Sequence, residues 1–222
     1  MNLQTLALLV RKDLHLMRRP LAAYVMAAAV ATALVGCGRT SSSARSLGLS
    51  LALNVLIGVS FHVMMGTVHG ERERKTLAFV LSLPATPRDV GLAKVLSAFL
   101  IFLIPSLVAV GPLMLMAPET AGWGLYACLL GAWLCVFAVV LATGVVTESI
   151  GATIGALIGL LFVGGNWALQ VAPRSAAVAR AVAAIARGSA PALLATFAVE
   201  ATAIGAIVTT MVWLQGRKTS FV

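Results

Sequence analysis

The chain has 222 residues, of which 60% are hydrophobic and only 10% charged, and its formal net charge is +9. Soluble domains carry about 25% charged residues, so a water-soluble globule and a disordered chain are both excluded, and three cysteines are too few for a disulfide scaffold. A mean hydropathy of +1.02 leaves an all-α integral membrane protein, read here as a single domain over residues 1–222.

The scarce charges are clustered, and the intervals between clusters read as membrane spans. Uncharged runs of 19, 25, 24, 28 and 25 residues follow Arg19, Arg45, Lys94, Glu119 and Glu148, and a final run of 29 after Arg187 is interrupted only by Glu200. A helix crossing a hydrocarbon core of ~30 Å needs about 20 apolar residues, so each run holds one span and none holds two. Strands are excluded because the runs lack period-2 alternation.

In chain order, residues 1–19 come first. Leu3, Leu6, Ala7, Leu9, Val10, Leu14 and Met17 recur at helical spacing among Arg11, Lys12, Arg18 and Arg19. This pattern predicts an amphipathic helix lying in the membrane interface, with a plain basic anchor as the alternative. Pro20, suited to a first helical turn, opens span 1 at Leu21–Cys37. A cleavable signal peptide is the rival reading there, but an amphipathic segment precedes the basic pair, so a retained span is expected.

Span 2 is Leu47–Val68, with Asn54 and His62 as polar groups that must find partners or line a pathway,. His62 with Met64 and Met65 raises haem or copper ligation, against the plainer reading of apolar packing. The loop at 69–94 carries eight of the 23 charges. Its Thr76–Leu83 stretch is too short to span, Pro84 and Pro87 interrupt it, and Glu71 and Lys75 form an i, i+4 pair. A short charged helix along the membrane surface is expected, one that needs a docking partner to account for it.

Span 3 is Val95–Met116 and span 4 is Trp123–Val146. Cys128 and Cys135 share a face of span 4 but lie about 10.5 Å apart along the axis, too far for a disulfide, and are read as small packing residues. Thr147–Ser149, containing Glu148, is a tight turn into span 5 at Ile150–Val171. There Gly151, Gly155 and Gly159 repeat every four residues, a helix-packing signal in lipid that does not name the partner. Asn166 and Gln170 add polar groups. The segment at 172–191, with Val178, Val182 and Ile185 on one helical face, is expected to form one or two short external helices. Span 6, Ala192–Leu214, carries Glu200 about nine residues in, roughly 13 Å deep by helical rise. A carboxylate at such depth is costly and turns towards a bundle interior or an aqueous path; it reads as a pathway or switch residue or as a structural hydrogen bond, unless the helix starts later and Glu200 sits nearer the outer surface.

Six spans place both termini on one side. That side holds 11 basic residues against five on the other, so the positive-inside rule makes it cytoplasmic. The basic excess is accounted for by anionic lipid, and no nucleic acid is expected as a partner. The sequence contains no phosphate-binding loop, no metal-spaced cluster and no catalytic constellation, so any driving energy comes from a partner chain or an ion gradient.

The loop Glu71-Arg-Glu-Arg-Lys-Thr-Leu, then Leu81-Ser-Leu-Pro84, then Arg88 and Lys94, resembles the signature of the ABC type-2 transporter permeases. Val10-Arg-Lys-Asp-Leu-His-Leu-Met-Arg-Arg-Pro20 is similar to that family's N-terminal segment. The departures are Lys75, where Gly is common, and Gly91, three residues before Lys94 rather than adjacent to it. The resemblance implies an inner-membrane exporter subunit with no cofactor of its own. It implies a second copy or a homologous permease as partner, and a cytoplasmic ATPase subunit holding ATP and Mg. Glu71, Arg72, Glu73, Arg74, Lys75, Thr76, Leu77, Phe79 and Leu81 would form the coupling helix, with Glu148 a lesser contact. Spans 2 and 5 would face the pathway, giving Asn54, His62 and Asn166 as pathway residues; Glu200 of span 6 joins them by its depth and not by the resemblance. The haem-exporter B subunit is a related family of similar length. Outside the resemblance stand two other readings, an ion-driven secondary transporter using Glu200 and a non-transporting membrane assembly factor.

Overall fold

The computed structural model describes residues 3–37, 41–69, 87–116, 122–147, 149–166 and 174–217. Among them there is no strand. Eight helices follow one another: α1 (Leu3–Leu16), α2 (Arg18–Cys37), α3 (Ser42–Val63), α4 (Pro87–Met116), α5 (Gly122–Thr147), α6 (Ile150–Asn166), α7 (Ala176–Ala186) and α8 (Ala190–Gly216), with a π-helical turn, Met64–His69, ending α3.

Among the described residues, five stretches are long and apolar enough to cross a bilayer: Arg18–Cys37, Ser42–Gly66, Gly91–Leu115, Gly122–Thr147 and Ala190–Leu214. They coincide with expected spans 1, 2, 3, 4 and 6. The expected fifth span is represented by α6, whose 17 residues rise about 25 Å. The rest of that span, 167–171, lies outside the described residues.

Two boundaries depart from the charge map. Helix α4 begins at Pro87 rather than after Lys94, because proline has no N–H to lose in a first turn and a lysine near a helix end extends its charge to the interface. Helix α3 begins at Ser42, where the Ser41 hydroxyl accepts from the Ala44 N–H at 3.4 Å and caps the helix,. Ser149 caps α6 in the same way through the Ala152 N–H at 3.2 Å.

Helix α4 is the hub, touching α1, α2, α3, α5 and α8. Its core contact is Phe102 stacked on Phe137 of α5 at 4.3 Å, with Phe99 edge-on at 5.4 Å. Helices α2 and α3 form an antiparallel pair whose closeness explains the alanine content of α2. Ala28 and Ala31 are fully buried, and a Cβ on Gly48 would stand 2.7 Å from the Ala31 carbonyl oxygen. The Tyr24 hydroxyl donates to the Gly58 carbonyl at 3.0 Å across the same pair.

Helix α4 contains Pro105 and Pro112. Pro112 cannot donate to the Val108 carbonyl one turn back, and no water is available at membrane depth to replace that bond. Thr32 of α2 supplies it, its hydroxyl donating to the Val108 oxygen at 3.2 Å. Thr32→Val keeps the shape and leaves that carbonyl without its side-chain donor. A loss of about 1 kcal/mol is expected, read as a lower unfolding midpoint in detergent titration, with Thr32→Ser largely retaining stability.

The elements alternate in direction. At one end meet the α1–α2 corner, the ends of α3 and α5 and the starts of α4 and α6. Met17 lies against Gly66 there, and Gly144 of α5 lies against Met64 and Thr153. At the opposite end, Gly122 and Gly124 of α5 approach the carbonyls of Ala186 and Ile185 in α7. The expected short helix of the 172–191 segment is α7, capped by Ser175 through the Val178 N–H at 3.3 Å. It stops at Gly188, whose φ of 73° lets Gly188 and Ser189 donate back to the Ile185 and Ala184 carbonyls, a glycine C-cap.

Candidate functional site

Two polar arrangements stand out in an otherwise apolar bundle, one at the end holding the α1–α2 corner and one at mid-depth. At the first, α1 turns a face of Leu6, Leu9, Val10, Asp13 and Met17 towards the bundle. This is the expected amphipathic face with one acidic residue in its centre. The Asp13 side chain is 7% exposed. Its Oδ2 accepts from the Ser97 hydroxyl of α4 at 2.8 Å, and Lys12 Nζ stands 3.5 Å from Oδ1. Ser97 is itself fully buried. A buried carboxylate persists only when hydrogen-bonded or paired, so this contact fixes the rotation and the position of α1 on α4.

The corner therefore grips both flanks of the segment between α3 and α4. Asp13 holds the helix that follows that segment, and Met17 packs against Gly66 in the π-helical turn that precedes it, where a Cβ would lie 2.7 Å from the Met17 sulfur. The expected coupling residues Glu71, Arg72, Glu73, Arg74, Lys75, Thr76, Leu77, Phe79 and Leu81 lie outside the described residues, as does Glu148.

At mid-depth, Glu200 of α8 faces α5. Its carboxyl occupies the space over Gly131, where an added Cβ would stand 2.6 Å from Cδ. The Cys135 thiol donates to the Glu200 backbone carbonyl at 3.6 Å. One heptad earlier, Leu193 occupies the space over Gly124, 2.6 Å from a would-be Cβ. Cys128 is buried against Leu193 and Ile185. Gly124, Cys128, Gly131 and Cys135 thus form a 4-3-4 row of small residues that admits a parallel helix. The packing role expected of the two cysteines agrees with this, and neither Cys128 nor Cys135 is in a disulfide. In the sequence only the two thiols of this row stand out, because a glycine within an apolar span signals a contact only once a neighbouring helix fills its space.

The other expected pathway residues are dispersed. Asn54 is exposed and donates to the Ser50 carbonyl of its own helix at 2.8 Å. His62 meets the Tyr24 ring edge-on at 5.9 Å. Met64 is fully buried in the core, and no metal-holding group of His, Cys, Asp or Glu exists among the described residues. Asn166 closes α6. The Gly151, Gly155, Gly159 row points away from every described neighbour: a Cβ on Gly155 or Gly159 would meet nothing within 4 Å, and one on Gly151 only the hydroxyl of Ser149.

Compared with protein-family models, curated proteins and solved structures, the chain matches none.

Proposed function

We propose that this chain is the membrane subunit of an ABC exporter. It has six spans with both termini cytoplasmic in the inner membrane, pairs with a second permease copy, and is driven by a separate ATPase that docks on the 69–94 loop. The observation that carries this reading is the double grip on that loop. A carboxylate–hydroxyl bond, Asp13 to Ser97 at 2.8 Å, and the Met17–Gly66 contact join the α1–α2 corner to both flanks of the chain's densest charge cluster. A partner docked on that cluster would meet flanks that these contacts tie to α1 and to the α1–α2 corner. Without its own phosphate-binding loop, the chain depends on such a partner for ATP-driven work.

The test is capture of a co-expressed ATP-binding subunit on tagged protein. Glu71→Lys with Glu73→Lys is expected to abolish capture and transport while the protein still inserts and folds. Full capture by that double variant would sink the docking reading.

The ion-driven alternative rests on Glu200. Its place over Gly131 makes it part of a helix contact, so Glu200→Gln, which preserves shape, is expected to leave transport intact. Loss of gradient-driven flux in that variant would favour the alternative.

A further inference from the structure

A cleft opens between α1, α4 and α8. It is walled by Leu6 of α1, by Leu92, Leu96 and Phe99 of α4, and by Ile204 and Val208 of α8, and encloses about 360 Å³. Its size falls within the roughly 300–1,000 Å³ range of small-ligand sites. It differs from an ordinary ligand site in having no polar side chain in its lining, so it offers an ordered water few of the two or more polar partners it needs.

The occupant follows from shape, depth and charge. Leu92 to Phe99 span seven residues, about 10.5 Å of helix. A groove of this length with wholly apolar side-chain walls matches a segment of flexible hydrocarbon chain. The cleft sits at the end of the bundle holding the α1–α2 corner. Arg11 and Lys12 lie five and six residues beyond Leu6, Lys94 lies within the α4 wall, and Arg217 lies beyond Val208 with its guanidinium 3.8 Å over the Trp213 ring. The acidic side chain described at this end, Asp13, is buried, accepts from Ser97 and pairs with Lys12 at 3.5 Å, so the attraction rests on Arg11, Lys94 and Arg217 more than on Lys12. Clustered Lys and Arg beside an apolar surface attract anionic headgroups, and Trp anchors at the interface level.

We infer that this cleft holds one acyl chain of an anionic phospholipid from the leaflet on the side of the α1–α2 corner, wedged between the interfacial helix and the last span. The site does not depend on coupling to an ATPase, so it stands or falls apart from the exporter reading. Its walls include the helix that Asp13 positions, which makes the lipid a neighbour of the contact that grips the α3–α4 segment.

The test uses phosphatidylglycerol carrying a diazirine within one acyl chain, added at low fraction to phosphatidylcholine nanodiscs containing the full chain. Photolabel is expected to concentrate in segments 92–99 and 204–208, and unlabelled phosphatidylglycerol is expected to compete it away more effectively than phosphatidylcholine does. Leu96→Trp and Val208→Trp, which fill the cleft, are expected to lose the focused label. Val199→Trp, on an exposed part of α8, is expected to keep it. Because the wild-type labelling map needs no variant, misfolding of either tryptophan variant does not blunt the test. Label spread evenly over lipid-facing positions such as Leu53, Ile158 and Val199 would overturn the inference. So would focused label that phosphatidylcholine competes equally well, or capture of a second copy of the chain by a photoreactive group placed at Leu96.

Discussion

Asp13→Ala is expected to loosen the N-terminal helix from the bundle and to lower stability by roughly 2 kcal/mol, the scale of a buried hydrogen bond to a charged group. The substitution removes the acceptor of the Ser97 hydroxyl, and Ser97 is fully buried. Ser97 retains a second bond, to the Lys94 carbonyl at 3.1 Å, so the loss falls mainly on the α1–α4 contact. Hydrogen exchange in residues 3–16 should therefore rise more than in α5 or α8. Asp13→Asn keeps an acceptor oxygen and should lose less. A double-mutant cycle with Ser97→Ala should show strong coupling, since either change breaks the same bond. Unchanged exchange in α1 would show that its apolar residues Leu9 and Val10 suffice to hold it. If α1 is part of the coupling frame, Asp13→Ala should also reduce transport more than it reduces the amount of folded protein.

Gly131→Leu is expected to separate α5 from α8 and to cost at least about 1–3 kcal/mol, the usual penalty of overpacking a filled contact. The new side chain would enter the volume of the Glu200 carboxyl, 2.6 Å from its Cδ. Glu200→Ala should recover part of the loss by clearing that volume, which an unrelated destabilising change could not do. The row on α6 makes the internal control. Gly155→Leu and Gly159→Leu meet open space within the chain and should leave its unfolding midpoint near the wild-type value. If α6 pairs with a second permease copy, those same variants should instead shift the complex from dimer to monomer in mass photometry. The two glycine rows thus separate packing inside the chain from packing between chains.

Much of the membrane plan was legible in the charge distribution. A 10% charge content allows few boundaries, and a charge inside hydrocarbon is costly enough that each boundary marks an interface. Five spans and the two flanking amphipathic helices, α1 and α7, followed from that constraint together with helical periodicity. Charge spacing marks where an apolar span lies, not where its helix starts: span 3 is expected from Val95, the apolar stretch runs Gly91–Leu115, and the helix carrying it begins at Pro87.

The polar contacts were less legible. Asp13 lies in a basic, amphipathic stretch and reads as one more surface charge; its burial depends on Ser97, 84 residues away. Thr32 reads as one polar residue in an alanine-rich span, and its purpose appears only once Pro112 has left Val108 without a donor beside it. Glu200 was conspicuous by depth alone, but its neighbour Gly131 was not, because a glycine's vacancy has meaning only when another helix fills it.

The sequence by itself determined that the chain is rich in membrane-spanning helices, roughly where five of its apolar spans lie, and which faces of α1 and α7 are apolar. These are local properties, set by transfer energy and backbone hydrogen bonding along one segment at a time. The tertiary structure decided which glycine row receives a helix, which carboxylate is buried, and where a cleft remains between α1, α4 and α8. Those outcomes depend on matching surfaces from residues far apart in the chain, and in lipid, where apolar faces gain little from one another, close packing and a few polar bonds choose the neighbours.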